Sequence, residues 1–279
     1  MQVLENLVND LKLGEPISFQ RLTMFPLNGS EGQSFDYLTL DEALRTGTAS
    51  VTEISASGSV PDLKFLNTGD KPIFLLDGEE LVGAKQNRIL NLSVLIPGNS
   101  DIIIPVSCVE QGRWAKKSSA FASSSNAATP EMRKILKESK REARKAFVIQ
   151  QQLEEQCDEA ASMVREHAAV HHASQGAVWD KVETMQFMHI SPSQTSSMED
   201  VFESKRNLIE RALQTFKYPQ DARGWIIAIN GEIQTIEMFG KKRLCKSAWE
   251  RVMRMVLCCD GPTNSSWRRR TITLKVARI

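Results

Sequence analysis

Near the N-terminus, apolar positions 3, 4, 7, 8 and 11 recur with helical spacing. They predict a short amphipathic helix over Met1–Leu13, ended by Gly14 and Pro16. Ile17–Phe25 reads as a first strand, followed by a loop punctuated by Asn28-Gly29 and Gly32. Thr39 is placed to cap one helical turn over Asp41–Arg45, closed by Gly47. From Ala49 the pattern changes to short apolar runs: Val51–Ser55, Leu63–Leu66, Lys71–Leu76, Arg88–Ile96 and Asp101–Val109. Gly58, Pro61, Asn67–Asp70, Asp77-Gly78 and Pro97–Ser100 separate them. Short strands at this spacing, with no helix between them, predict an antiparallel sheet closing as a sandwich or partial barrel.

After Trp114 the pattern changes again. Lys116–Asn126 is rich in Lys and Ser and reads as a mobile loop. Thr129-Pro130-Glu131 is a helix start, with a capping hydroxyl and Pro at the first helical position. No Gly or Pro follows until Gly176, and the apolar positions keep helical spacing, so one long helix is predicted. Its first half is basic (Arg133, Lys134, Lys137, Lys140) and its second half acidic (Glu154, Glu155, Asp158, Glu159). Met198–Phe216 is a further amphipathic helix. Trp225–Ile229 and Glu232–Met238 flank Asn230-Gly231 as a hairpin, Ser247–Leu257 is helical, and Thr271–Val276 alternates like a strand. The expected fold is α+β, with an antiparallel β-rich core, a long helical insertion and a C-terminal helix–hairpin–helix unit. It is read as one composite domain over 1–279. Within it, residues 1–115 are β-rich, residues 116–175 form a loop and the long helix, and residues 176–279 close the fold as an α+β region.

The chemistry-bearing residues crowd into Asp77–Trp114, on turns and strand ends between apolar runs. Lys85, Gln86, Asn87 and Arg88 follow Gly83-Ala84, which lets backbone approach a ligand. Cations neutralise phosphate, while amides read a base edge or a ribose hydroxyl. Arg113 and Trp114 add a guanidinium and a stacking surface. The same cluster could equally be an internal network tying sheets together. Glu80 and Glu110 are the candidate acid–base pair, since alternation turns Glu79 to the other face. Cys108, at the end of its strand, could act as a nucleophile if Arg113 or Lys85 lowered its thiol, but with no His nearby in sequence a small buried apolar Cys is the stronger reading. His167 and His171 lack the acidic partner of a metal helix, so no metal site is expected, and the residues name no cofactor.

The strings DGEELVGAKQNR and SVLIPGNSDIIIPVSCVEQGRW closely resemble the ARG-and-rhodanese-phosphatase-superfamily-associated protein domain family, ARG meaning ADP-ribosylglycohydrolase. Weaker likeness extends through LTLDEALRTG, SSMEDVFESKRNLIE and GWIIAINGEIQTIEMFG, covering about Asp36 to Phe239. The family keeps company with ADP-ribose and NAD-consuming chemistry. The resemblance therefore implies binding or processing of an ADP-ribose-like nucleotide in NAD metabolism, with a small-molecule nucleotide as ligand. A non-catalytic interaction module is the alternative.

Charge and composition narrow the partners. With 35 basic and 34 acidic residues the chain has no overall bias toward nucleic acid or anionic membrane, and neither is expected as a partner. No run approaches the roughly 18 apolar residues of a membrane span. Five scattered cysteines, an odd number without a CxxC pair, point to a reducing cytoplasm. The charge split along Pro130–His172 would let two copies pair antiparallel, so a salt-sensitive homodimer is expected.

Overall fold

The computed structural model describes residues 10–30, 36–153 and 173–259, with the side chains of 143–153 excepted. In chain order the described strands are β1 (Lys12–Leu13), β2 (Ile17–Phe19), β3 (Leu22–Asn28) and β4 (Leu38–Thr39). After helix α1 (Leu40–Thr46) come β5 (Ala49–Glu53), β6 (Asp62–Asn67), β7 (Ile73–Leu75), β8 (Glu79–Gly83), β9 (Arg88–Leu90), β10 (Val94–Ile96), β11 (Ser100–Cys108) and β12 (Phe121–Ala127). Helices α2 (Pro130–Leu153), α3 (Gln175–His189), α4 (Met198–Ser204) and α5 (Arg206–Thr215) precede β13 (Ala222–Ile229), β14 (Glu232–Met238) and α6 (Lys242–Leu257). The fold is α+β with an antiparallel β core. Among the described strands the exception to antiparallel pairing is β4, which runs parallel to β7.

The chain divides into two compact units, Phe35–Arg206 and the combination of 1–34 with 207–279. The first unit carries a six-stranded sheet in the order β12-β8-β9-β11-β6-β5 and a three-stranded sheet β10-β7-β4. The long sheet curls until its edge strands β12 and β5 touch, giving a half-barrel. Its filling is apolar: Val51, Leu63, Phe65, Leu81, Leu90, Ile104, Val106 and Phe121, with Leu40 and Ala43 of α1, Ile73 and Leu75 of β7, and Ile96 of β10. Burying each such side chain contributes about 1.5–3 kcal/mol against conformational entropy. Helix α1 begins as its sequence dictates. Thr39 Oγ1 accepts the Glu42 N–H while the Glu42 carboxylate accepts the Thr39 N–H, and Gly47 closes it with φ of 71°.

The second unit holds the sheet β1-β3-β13-β14 with β2 on β3. Asn230 and Gly231, at φ of 54° and 80°, make the hairpin turn the dipeptide announces. The hairpin is not a self-contained helix–hairpin–helix unit, because β13 pairs along its length with β3 from the N-terminal segment. Trp225, Trp249, Tyr218 and Phe239 interlock edge-to-face or tilted at centroid separations of 5.1–5.8 Å, forming its aromatic core.

Several expected boundaries are corrected. The run Ile17–Phe25 is two strands, because Gln20 turns the chain at φ of 54°. Arg88–Ile96 is also two strands, since β9 joins the six-stranded sheet and β10 the other. The break between them is fixed by Asn91, whose side chain accepts the Ser107 hydroxyl at 2.8 Å. Met198–Phe216 divides at Lys205 into α4 and α5, next to the boundary between the two compact units at Arg206. The segment expected to be a mobile Lys- and Ser-rich loop contains β12, paired with β8 at Phe121↔Gly83 and Ser123↔Leu81. Its sequence has no β-branched residue, so an available partner edge outweighs propensity. Lys12–Leu13 is strand rather than helix. Residues 1–9 of the expected N-terminal helix, His167, His171, His172, most of the acidic half-helix and Thr271–Val276 lie outside the described residues.

Candidate functional site

The β8–β9 hairpin and the segment after β11 bring the expected polar residues together, and most of them are consumed in one buried network. Two residues set its geometry: Ala84, a non-glycine at φ of 38°, and Gly83, at φ of 120°. A Cβ on Gly83 would meet the Ser118 hydroxyl at 2.5 Å, so only glycine fits there.

Arg113 is the hub. Its Nε and Nη2 donate to Glu110 Oε1 and Oε2 at 2.8 and 2.6 Å, a bidentate ion pair. Nη1 donates to the Ala84 and Ala115 carbonyls at 2.8 and 2.9 Å, and Nη2 also reaches Asn87 Oδ1 at 3.1 Å. Glu110 further accepts the Asn87 N–H at 2.9 Å and the Thr195 hydroxyl at 3.0 Å. Burial alone would raise its carboxyl, but the Arg113 guanidinium and these donors outweigh that and hold it below the ordinary range. Asn87 Nδ2 donates to Glu199 Oε2 at 3.0 Å, tying the hairpin to the start of α4.

Glu80 is different. It is fully buried on β8, with Oε2 accepting from Ser124 and Asn126 of β12 at 2.8 and 3.0 Å. Its Oε1 is buried and has no partner among the described residues. Burial first, and then the negative charges of Glu199 and Glu110, push it up to about 7 against the two hydrogen bonds. It is a carboxyl that holds its proton near neutrality.

Cys108 does not have the lowered thiol expected of a nucleophile. It is fully buried, and burial raises it above the ordinary thiol value despite the Glu110 N–H and the Arg88 charge, which pull it down. Its Sγ donates to Gln86 Oε1 at 3.2 Å, and the Gln175 side chain bonds both its backbone N–H and its carbonyl at 2.8 Å. The Cys acts here as part of the packing at the end of β11.

Lys85 and Trp114 form an open rim. Trp114 is 49% exposed. The Lys85 ammonium lies 5.1 Å from its ring centre and the Arg88 guanidinium 5.9 Å. Beside them opens a cleft of about 170 Å³ lined by Glu53, Ser55, Lys85, Lys116, Ser118 and Ser119, among others. Of the expected site residues, Lys85 lines it; Glu80, Gln86, Asn87, Arg88, Cys108, Glu110, Arg113 and Trp114 do not. Glu53, Lys116 and Ser118 escaped sequence reasoning because they belong to segments read as a plain strand and a mobile loop. Ser118 is held firmly: its Oγ accepts the Ala84 N–H at 2.8 Å and donates to the Ala120 carbonyl at 2.7 Å.

Among the described residues no group of three or more His, Cys, Asp or Glu could hold a metal ion. No described helix is long and apolar enough to cross a membrane. Against known proteins, a family model described as ARG and Rhodanese-Phosphatase-superfamily-associated Protein domain matches residues 10–259. No curated protein and no solved structure matches the chain.

Proposed function

The chain belongs to the ARG and Rhodanese-Phosphatase-superfamily-associated Protein domain family, and from that premise we propose that it binds a phosphate-bearing nucleotide of the ADP-ribose class at the Lys85–Trp114 rim. The observation that carries this reading is an exposed indole with two cations against its ring, one of which, Lys85, also lines a hydroxyl-rich cleft. A base or sugar face stacks on Trp114, the phosphates meet Lys85 and Lys116, and the serine hydroxyls complete the polar contacts. At about 170 Å³ the cleft is smaller than the roughly 300–1,000 Å³ of a site that swallows a whole ligand. It therefore takes the sugar–phosphate portion and leaves the base on the open Trp114 face.

The buried network then has a supporting role. Glu110, Arg113 and Asn87 hold the hairpin that presents Lys85, and a rigid support of this kind is what a precise site needs. Glu110 is committed to an ion pair and Cys108 to packing, so the reading is one of binding. Glu80, with its proton held near neutrality, is the group best suited to acid–base work among the three expected catalytic residues, but it does not line the cleft. The cytoplasm is the proposed compartment, in keeping with free thiols at Cys108, Cys245, Cys258 and Cys259.

Titration calorimetry with ADP-ribose, NAD, AMP and adenosine tests the reading. Stacking of a base on an aromatic side chain is worth about 1–3 kcal/mol, so Trp114→Ala should weaken ADP-ribose binding roughly 5- to 150-fold. Equal affinity in the variant, or no binding of any of the four by wild type, refutes it. The second outcome would favour the alternative of an interaction module whose polar cluster is purely internal. That alternative draws on the saturation of the Arg113 hub.

A further inference from the structure

Arg88 is the least compensated charge in this region of the molecule. It is fully buried on β9. One of its hydrogen bonds is short, from Nη1 to Gln86 Oε1 at 3.0 Å. The other two, to the Asn87 and Ser59 carbonyls, are stretched to 3.4 Å. Its Nε is buried with no partner, and among the described residues no carboxylate forms an ion pair with it. A guanidinium removed from water normally takes a carboxylate or phosphate in bidentate fashion, since leaving such a charge unpaired is costly. Burial lowers the Arg88 pKa, against the nearby charges of Glu53 and Glu110, which pull it up without pairing with the guanidinium.

The segment between β5 and β6 reaches Arg88 and Lys85. The Ser59 carbonyl lies on Arg88 Nη2, and the Ser57 carbonyl accepts from Lys85 Nζ. Between them Gly58 crosses at φ of 79°. A Cβ there would stand 3.1 Å from Lys85 Cδ, 3.2 Å from Glu53 Oε2 and 3.3 Å from Trp114 Cζ2. Glu53 Oε2 is itself buried without a partner. Two backbone carbonyls thus sit on the two cations that flank Trp114, near a carboxylate oxygen with no donor among the described residues. Ile54, Ser55, Ala56 and Ser57 are all exposed, so little apolar burial holds the segment down.

We infer that the segment from Ile54 to Val60 is a lid that occupies an anion subsite in the closed state. The Ser57 and Ser59 carbonyls stand where two phosphate oxygens of the ligand bind Lys85 and Arg88. This rests on the nucleotide reading above and deepens it by naming the ligand chemistry. The ligand carries a diphosphate-like anion with oxygens for both cations, and a nearby hydroxyl that donates to Glu53. Partial carbonyl charges are weak substitutes for phosphate, so the exchange favours the ligand once the lid lifts. Adenosine, with no anion, gains nothing from Arg88 and leaves the lid closed.

The test uses the full chain with ADP-ribose, inorganic pyrophosphate and adenosine. Gly58→Ala disfavours the positive φ of the closed lid and crowds Lys85, so it should tighten ADP-ribose and pyrophosphate about 3- to 10-fold. Unchanged or weakened binding overturns the lid. In wild type, amide exchange over residues 54–60 should accelerate when ADP-ribose or pyrophosphate saturates the protein, and stay constant with adenosine. Slower or constant exchange with the anions overturns the inference even if Gly58→Ala does not fold. If ADP-ribose binds in a Trp114-dependent way without these changes, the lid fails and the nucleotide site stands. If ADP-ribose does not bind at all, both fail.

Discussion

Replacing Glu80 by glutamine is expected to stabilise the protein above neutral pH by about 3 kcal/mol. Glu80 is fully buried, and its proton is held from the ordinary 4.5 up to about 7. The sign follows from linkage. Below 4.5 the carboxyl is protonated whether the chain is folded or unfolded, and it contributes no pH dependence. Between 4.5 and about 7 the unfolded chain ionises while the folded one keeps its proton, so stability falls as pH rises. Above about 7 the full penalty is present. Glutamine imitates the protonated acid: its carbonyl oxygen can accept from Ser124 and Asn126, and its amide fills the place of the unpartnered oxygen. Urea denaturation of both proteins at about pH 5 and pH 8 checks this, with the variant's advantage large at the higher pH and small at the lower. An equal difference at the two pH values would mean that Glu80 ionises normally.

Arg113→Ala should cost about 3–5 kcal/mol, because it removes the partner of a buried charge. Glu110 would keep the Asn87 N–H and the Thr195 hydroxyl but lose both guanidinium bonds. The carbonyls of Ala84 and Ala115 would lose their donor as well. Arg113→Lys should restore only a fraction of the loss, since an ammonium cannot make the bidentate fork. Adding Glu110→Gln to Arg113→Ala should recover stability, because the uncompensated charge is then gone. Amide exchange in β8 and β9 near neutral pH reports the local cost. A loss below about 1 kcal/mol would put the pair in the class of surface ion pairs and remove its role as the hub.

The polar centre was legible in the sequence as a stretch, but its residues could not be apportioned between roles. Asp77–Trp114 supplies the hub Arg113–Glu110–Asn87, the proton-holding Glu80 and the rim of Lys85 and Trp114. Residues that bind a ligand and residues that bind each other have the same chemistry, and only side-chain direction separates them. Arg113 and Arg88 look alike in the string, yet one donates at close range in several directions and the other has an unpartnered Nε. Local signals with a physical mechanism were legible: the Thr39 cap and Gly47 stop, the Asn230-Gly231 turn, and the Thr129-Pro130 helix start. The strand β12 was not, because Ser123, Ser124 and Asn126 have no strand preference and are placed by the open edge of β8. With it were lost Lys116 and Ser118, which line the cleft.

The central claim, a nucleotide on the Lys85–Trp114 rim, is tested most directly by a crystal structure of the protein grown with saturating ADP-ribose. The expected result is the base or ribose stacked on Trp114 and phosphate oxygens on Lys85, with the sugar–phosphate portion entering the cleft beside Lys116 and Ser118. Ligand density elsewhere, with the Trp114 ring bare and the cleft empty, would contradict it.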